Sequence, residues 1–222
     1  MVRPGPRRAP GCGAPRRAPR PKFTEPAPRA DLPAVQPATP APAATQKLPG
    51  ESDADYLRRL LPLAEAGDLR ARTAVAEAYF YGRGTRTNRS FAVSWYRYAA
   101  DEGDPDAQSS LGFCSFYGYG CRKDVAEAVA WWTRAAEKGN LNAINDLAYC
   151  YMNGFGVARD EQTGFQWAMR AAERGYAPSQ TMVGECYLDG RGVAADAQLG
   201  EAWLLRAARQ GNRRAQMRLR AR

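Results

Sequence analysis

One spacing governs this sequence. Trp95, Trp131, Trp167 and Trp203 stand 36 residues apart, and so do Gly67, Gly103, Gly139, Gly175 and Gly211. The Ala-Ala pairs at 99–100, 135–136, 171–172 and 207–208 keep the same step. So do the Gly-x-Gly pairs at 82/84, 118/120, 154/156 and 190/192. Independent marks at one period, without insertion, define a tandem array.

The copy at 140–175 shows what each unit builds. From Leu141 to Asn153 the small or apolar residues Ala143, Leu147, Cys150 and Tyr151 fall on one helical face. From Asp160 to Arg174 a second face carries Gly164, Trp167, Ala168, Ala171 and Ala172. Asp160 stands at an N-cap position, with Asn88, Asp124 and Asp196 as equivalents. Each offers an oxygen to the unpaired N–H groups of a first turn. Gly139 and Gly175 stand where helices end in a left-handed residue. The Ala-Ala pair allows close helix approach, and the tryptophan fills the space beside it. Trp95, Trp131, Trp167 and Trp203 are therefore assigned structural roles. A lone hairpin of this size cannot bury its apolar surface, so it must stack on a neighbour.

The unit resembles the Sel-1-like repeat family, a relative of the tetratricopeptide repeat. The family pattern A-x-x-x-L-G-x-x-Y-x-x-G-x-G-V-x-x-D reads here Ala143, Leu147, Ala148, Tyr151, Gly154, Gly156, Val157 and Asp160. Its continuation A-x-x-W-x-x-x-A-A-x-x-G reads here Gly164, Trp167, Ala171, Ala172 and Gly175. Departures are local: Ser115 replaces the tyrosine, Thr85 and Cys121 the valine, and Gly164 and Gly200 the first alanine. The expected fold is all-α, a right-handed α-solenoid of four repeats at 68–103, 104–139, 140–175 and 176–211. Residues 52–66 and 212–222 are expected to cap its ends as half-repeats. In the first cap, Ser52 with Asp55 reads as an N-terminal capping pair, Leu57, Leu60, Leu61 and Ala64 line one face, and Arg59 takes the tryptophan position.

Residues 1–50 are different material. They hold 13 of the 16 prolines and nine Lys/Arg against Glu25 and Asp31, a net +7. Residues 51–222 hold 23 Lys/Arg against 21 Asp/Glu, a net +2. Proline at this density excludes helix and disfavours a core, so 1–50 is expected to be a disordered arm. It has no apolar segment of a secretory signal, and no stretch of the chain has the ~20 apolar residues of a membrane helix. A cytoplasmic monomer is the expectation.

Several chemistries are excluded. The chain has no histidine, hence no His-based triad, His metal ligand or His proton shuttle. Cys114, Cys150 and Cys186 step by one repeat. Stacked helices lie about 8–10 Å apart, too far for a disulfide, so these read as small buried thiols. Cys114 and Cys121 are the one pair that could meet inside a hairpin. The Gly-x-Gly turns follow helices rather than strands, which argues against phosphate loops. No Ser-x-x-Lys occurs. The carboxylates, Glu127, Glu137, Glu173 and Glu201 among them, read as outward charge. No catalytic residue, metal site or cofactor is expected.

What remains is binding. The tetratricopeptide resemblance implies that first-helix positions face a concave groove. Here they are Glu77, Phe113, Tyr149 and Glu185 in one row. The next rows are Phe80, Phe116, Met152 and Leu188, then Tyr81, Tyr117, Asn153 and Asp189. The candidate contact residues are Glu77, Phe113, Tyr149, Glu185, Tyr81, Tyr117, Phe116 and Met152. Exposed aromatic and methionine side chains suit a peptide or helix groove. The expected function is a non-enzymatic scaffold for a protein partner. The alternative is an adaptor for nucleic acid or an anionic surface, using the basic arm and the seven arginines of 206–222.

Overall fold

The computed structural model describes residues 43–221. The expected arm falls outside the described residues for 1–42. Among the described residues there are ten α-helices and no strand. They are α1 (Asp53–Glu65), α2 (Leu69–Tyr81), α3 (Arg89–Asp101), α4 (Pro105–Tyr117), α5 (Val125–Glu137), α6 (Leu141–Asn153), α7 (Glu161–Glu173), α8 (Ala177–Asp189), α9 (Ala197–Arg209) and α10 (Arg213–Arg220). The hairpins α2–α3, α4–α5, α6–α7 and α8–α9 pack most closely, and each second helix then packs on the next first helix. The result is an all-α solenoid. None of its helices is long and apolar enough to cross a membrane.

Local chemistry sets the helix length. Asn88, Asp124, Asp160 and Asp196 accept from the backbone N–H three residues on, starting α3, α5, α7 and α9. Asp68, Asn140 and Asn212 do the same for α2, α6 and α10, and Asp104 caps α4 by accepting from Asp106 N–H. At the other end, α6 stops because Gly154 turns left-handed and donates its N–H to Cys150 O. These stops bound α6 and α7 at 13 residues each; α8 keeps that length without a side-chain cap at Tyr176, with a proline in its first turn.

The second glycine of each turn has a different duty. A Cβ on Gly156 would lie 2.6 Å from the backbone oxygen of Val125, the first residue of α5 in the preceding repeat. Gly84, Gly120 and Gly192 meet the backbone at Asp53, Arg89 and Glu161 in the same way. The turn of one repeat is therefore seated on the start of the previous second helix, and only a side chain of hydrogen permits that approach. Side chains reinforce the joint. Gln108 and Gln180 donate to Ala100 O and Ala172 O, and Arg72 to Ala64 O, closing carbonyls left open at a helix end.

The core runs as a chain of clusters along the stack. One joins Trp131 to Phe80, Tyr96, Leu111 and Cys114; the next joins Trp132, Ile144, Leu147 and Trp167. Trp131 and Trp167 are buried, whereas Trp95 and Trp203 are half-buried. Arg134, Arg170 and Arg206 each lie 4.5 Å over the tryptophan three residues earlier.

Two expectations change, and one open pairing is decided. Residues 44–50 are not arm. Tyr56 donates to Thr45 O at 2.8 Å, and Arg59 holds Ala44 O, Gln46 O and the Glu51 carboxylate. Thus Arg59, at the tryptophan position of the cap, ties down the segment before α1. Glu127 does not face outward. It is 3% exposed, because Ser115 leaves the room that tyrosine fills in the other repeats. Arg97 pairs with its carboxylate at 3.2 Å, and Ser115 and Trp131 donate to it. Finally, no disulfide joins Cys114 and Cys121. Burial pushes the Cys114, Cys150 and Cys186 thiols up to about 12.

Candidate protein-binding groove

The first helices α2, α4, α6 and α8 present equivalent faces. In the first row Glu77, Phe113 and Tyr149 are exposed and Glu185 is half-buried. In the third, Tyr81, Tyr117, Asn153 and Asp189 are exposed. The middle row turns inward and is corrected. Met152 is only 2% exposed and Phe80 is buried, while Phe116 and Leu188 are half-buried. The reason is size exchange across the hairpin. A Cβ on Gly164 would lie 2.8 Å from Met152 Cγ, so Met152 occupies the space alanine would take. Met152 is core and offers no open face.

The exposed rings form a continuous band. Phe113 lies 4.7 Å from Tyr117 and 5.8 Å from Tyr119, and Tyr117 stacks on Tyr119 at 5.5 Å. Phe116 connects Tyr117 at 4.9 Å to Phe155 at 6.0 Å, and Tyr149 closes the band 5.6 Å from Phe155. Phe113 and Tyr149 are thus linked through intervening rings. Sequence reasoning passed over Tyr119 and Phe155, which stand between the glycines of their turns. The available signal was that this position is aromatic in the two middle repeats and arginine, at Arg83 and Arg191, in the outer two. Arg89 lies over the rings of Phe80 and Tyr119 at 5.3 and 4.6 Å.

Two hollows of about 280 Å³ each open on this face. Tyr81, Phe113, Asn142 and Tyr176 line one; Tyr117, Tyr149, Met182 and Glu185 line the other; Asp146 borders both. Burial pushes the Asp146 carboxyl up to about 6, against a hydrogen bond from Asn145. Surrounding protein also raises Glu77, with Arg83 opposing and Asp106 and Asp104 adding to the rise. Glu185 is not an open acid as expected. Arg214 of α10 grips it with two bonds of 2.7 and 2.6 Å, and Arg218 holds Asp189 at 2.6 Å. The acidic character of the groove thus lies toward repeats one to three.

The position of Asp146 has a measurable consequence. Its folded-state pKa stands above the value near 3.8 of a free side chain. The folded chain then holds a proton the unfolded chain has lost, so stability falls as pH rises from about 4 to about 6 and stays flat above. Asp146→Asn should raise stability by about 1–3 kcal/mol at about pH 7.5 and by almost nothing at about pH 4. Thermal unfolding at both pH values measures this, and an equal gain at both would assign the effect to packing.

A stack of capped hairpins with a ring-lined face defines an α-solenoid repeat protein. The sequence profile of the Sel1 repeat matches four times, at residues 69–104, 105–140, 141–176 and 177–212. The chain belongs to the Sel1 repeat family. It is similar to a protective antigen of uropathogenic Escherichia coli strains with an SLR fold, at 32% identity and a TM-score of 0.70, over 76% of this chain and 36% of that one. It is also similar to a Sel1 repeat protein of Oxalobacter formigenes, at 31% identity and a TM-score of 0.71, over 74% of this chain and 65% of that one. The chain therefore spans about a third of the first protein's length and just under two thirds of the second's. An immunity protein of Pseudomonas aeruginosa, Pa5087, shares the fold at 20% identity and a TM-score of 0.55, over 78% of this chain and 63% of that one. No curated protein sequence matches.

Proposed function

We propose that this chain is a non-enzymatic adaptor that captures an extended or helical segment of another protein along the face of α2, α4, α6 and α8. The aromatic band from Phe113 to Tyr149, opening into two hollows, carries this reading. Buried rings hold a core together; exposed rings at this density supply anchors for a partner. The carboxylates of Glu77, Asp106 and Asp146 on the same face favour Lys or Arg in that partner. The alternative of anionic-surface binding through the C-terminal arginines is weakened, since Arg206, Arg214 and Arg218 are engaged with Trp203, Glu185 and Asp189.

The test is the double variant Phe113→Ala/Tyr149→Ala. A pull-down with the wild-type chain identifies the partner, and titration with both proteins follows. The variant should lose capture while keeping its unfolding midpoint, because both side chains are exposed, at 37% and 45%. Undiminished affinity in the folded variant would refute the groove as the binding site.

A further inference from the structure

The segment before Ala43 carries eight Lys/Arg against Glu25 and Asp31, and 12 prolines. Its chemistry is the complement of the groove. Among the described residues no salt bridge is formed by Glu77, Asp106 or Asp146, although Asn140 donates to Asp106 at 2.7 Å and Asn145 bonds Asp146. Asp146 borders the hollows lined by Tyr81, Phe113, Tyr117 and Tyr149, and the charge of Asp106 acts on Glu77. Arginine stacks on rings and forks onto carboxylates, and proline-rich chain docks on aromatic grooves.

The entry point also fits. The short turn Ala43–Thr45 packs on α2, the first groove helix. Tyr56 bonds Thr45 O, and the charges of both Lys47 and Glu77 act on its phenol. The described chain therefore begins beside the Glu77 end of the groove. Extended chain covers about 3.1 Å per residue. The groove from α2 to α6 crosses two helix spacings, about 20 Å. Fewer than about ten extended residues span it, so the arginines at 16, 17 and 20 are within tethered reach.

We propose that the Arg/Pro-rich segment 1–42 is a ligand of its own groove, its arginines on Glu77, Asp106 and Asp146 and its prolines on the rings, so that a partner must displace it. This rests on the reading of the face as a binding groove. It adds a regulator: tethering makes the contact intramolecular and therefore effective at modest affinity.

The test uses the full chain. Cys114, Cys150 and Cys186 are buried, so in a Cys121→Ser background a nitroxide label is directed to Cys12. Amide signals of isotope-labelled protein are then recorded. Loss of the Tyr117, Asp146 and Tyr149 signals is expected at low salt. Their recovery is expected at about 1 M NaCl, where the Debye length is about 3 Å. Recovery is also expected in Arg16→Ser/Arg17→Ser/Arg20→Ser and in Glu77→Gln/Asp106→Asn/Asp146→Asn. Signal loss that is absent, lies on another face, or survives these changes overturns the proposal. So does loss seen only when nitroxide-bearing and isotope-labelled molecules are mixed, which would make a second copy the occupant. The binding function fails separately, through the Phe113/Tyr149 variant. If that variant loses its partner while the nitroxide leaves the groove untouched, only the regulatory proposal falls.

Discussion

Gly156→Ala is expected to destabilise the array by about 2–6 kcal/mol, far more than a surface glycine usually matters. Two costs combine. The residue sits at φ +69°, where a side chain costs about 1–3 kcal/mol. Its new Cβ would also fall 2.6 Å from Val125 O and force the turn off α5, an overpacking cost of about 1–3 kcal/mol. Gly175 supplies the control. It has φ +86° but nothing within 4 Å of a Cβ, so Gly175→Ala should cost only the conformational part, about 1–2 kcal/mol. Denaturant unfolding of both variants separates the two terms. Equal losses would mean that the second glycine of the turn serves conformation alone and does not seat one repeat on the next.

Trp131→Ala is expected to cost about 3–5 kcal/mol, the range for truncating a large buried aromatic. The indole packs with Phe80, Leu111 and Cys114, so it joins the first repeat to the second. It also donates to buried Glu127 at 3.4 Å and lies under Arg134. Its removal opens a cavity and takes a donor from a carboxylate already withdrawn from water. Trp203→Ala, at the half-buried end of the stack, should cost less. The measurement is again denaturant unfolding, with groove binding followed in parallel. A loss below about 1 kcal/mol for Trp131→Ala would remove the ring from the joint between repeats. The pattern should invert that of Phe113→Ala/Tyr149→Ala, which spares the fold and removes capture.

Much of this architecture was legible in the chain. The 36-residue step located every helix pair, and Asp160 with Gly154 marked where helices begin and end, because caps and left-handed glycines are local events. Ser52 and Asp55 likewise announced α1, and the equally spaced cysteines were read as buried thiols. The rows of the first helices were legible as rows through the tetratricopeptide resemblance, and Phe113, Tyr149, Tyr81 and Tyr117 are exposed. Their neighbours were not. Met152 went inside because its partner across the hairpin is Gly164. Glu127 went inside because Ser115 left room and Arg97 supplied charge. Glu185 lost its open carboxylate to Arg214, 29 residues away.

The sequence by itself determined the period, the helix boundaries, the solenoid and the family. Each depends on residues close along the chain, and the repetition of the pattern multiplies the signal. Only the tertiary structure decided which members of a periodic row are core and which are surface. That outcome depends on side-chain volume and charge at a second position, in another helix or the next repeat. It also decided that Tyr119 and Phe155 extend the ring band, that the second turn glycine is a docking point, and that residues 44–50 belong to the folded body. In each case the deciding partner lies across a packing joint, and no period along the chain records what stands on the other side.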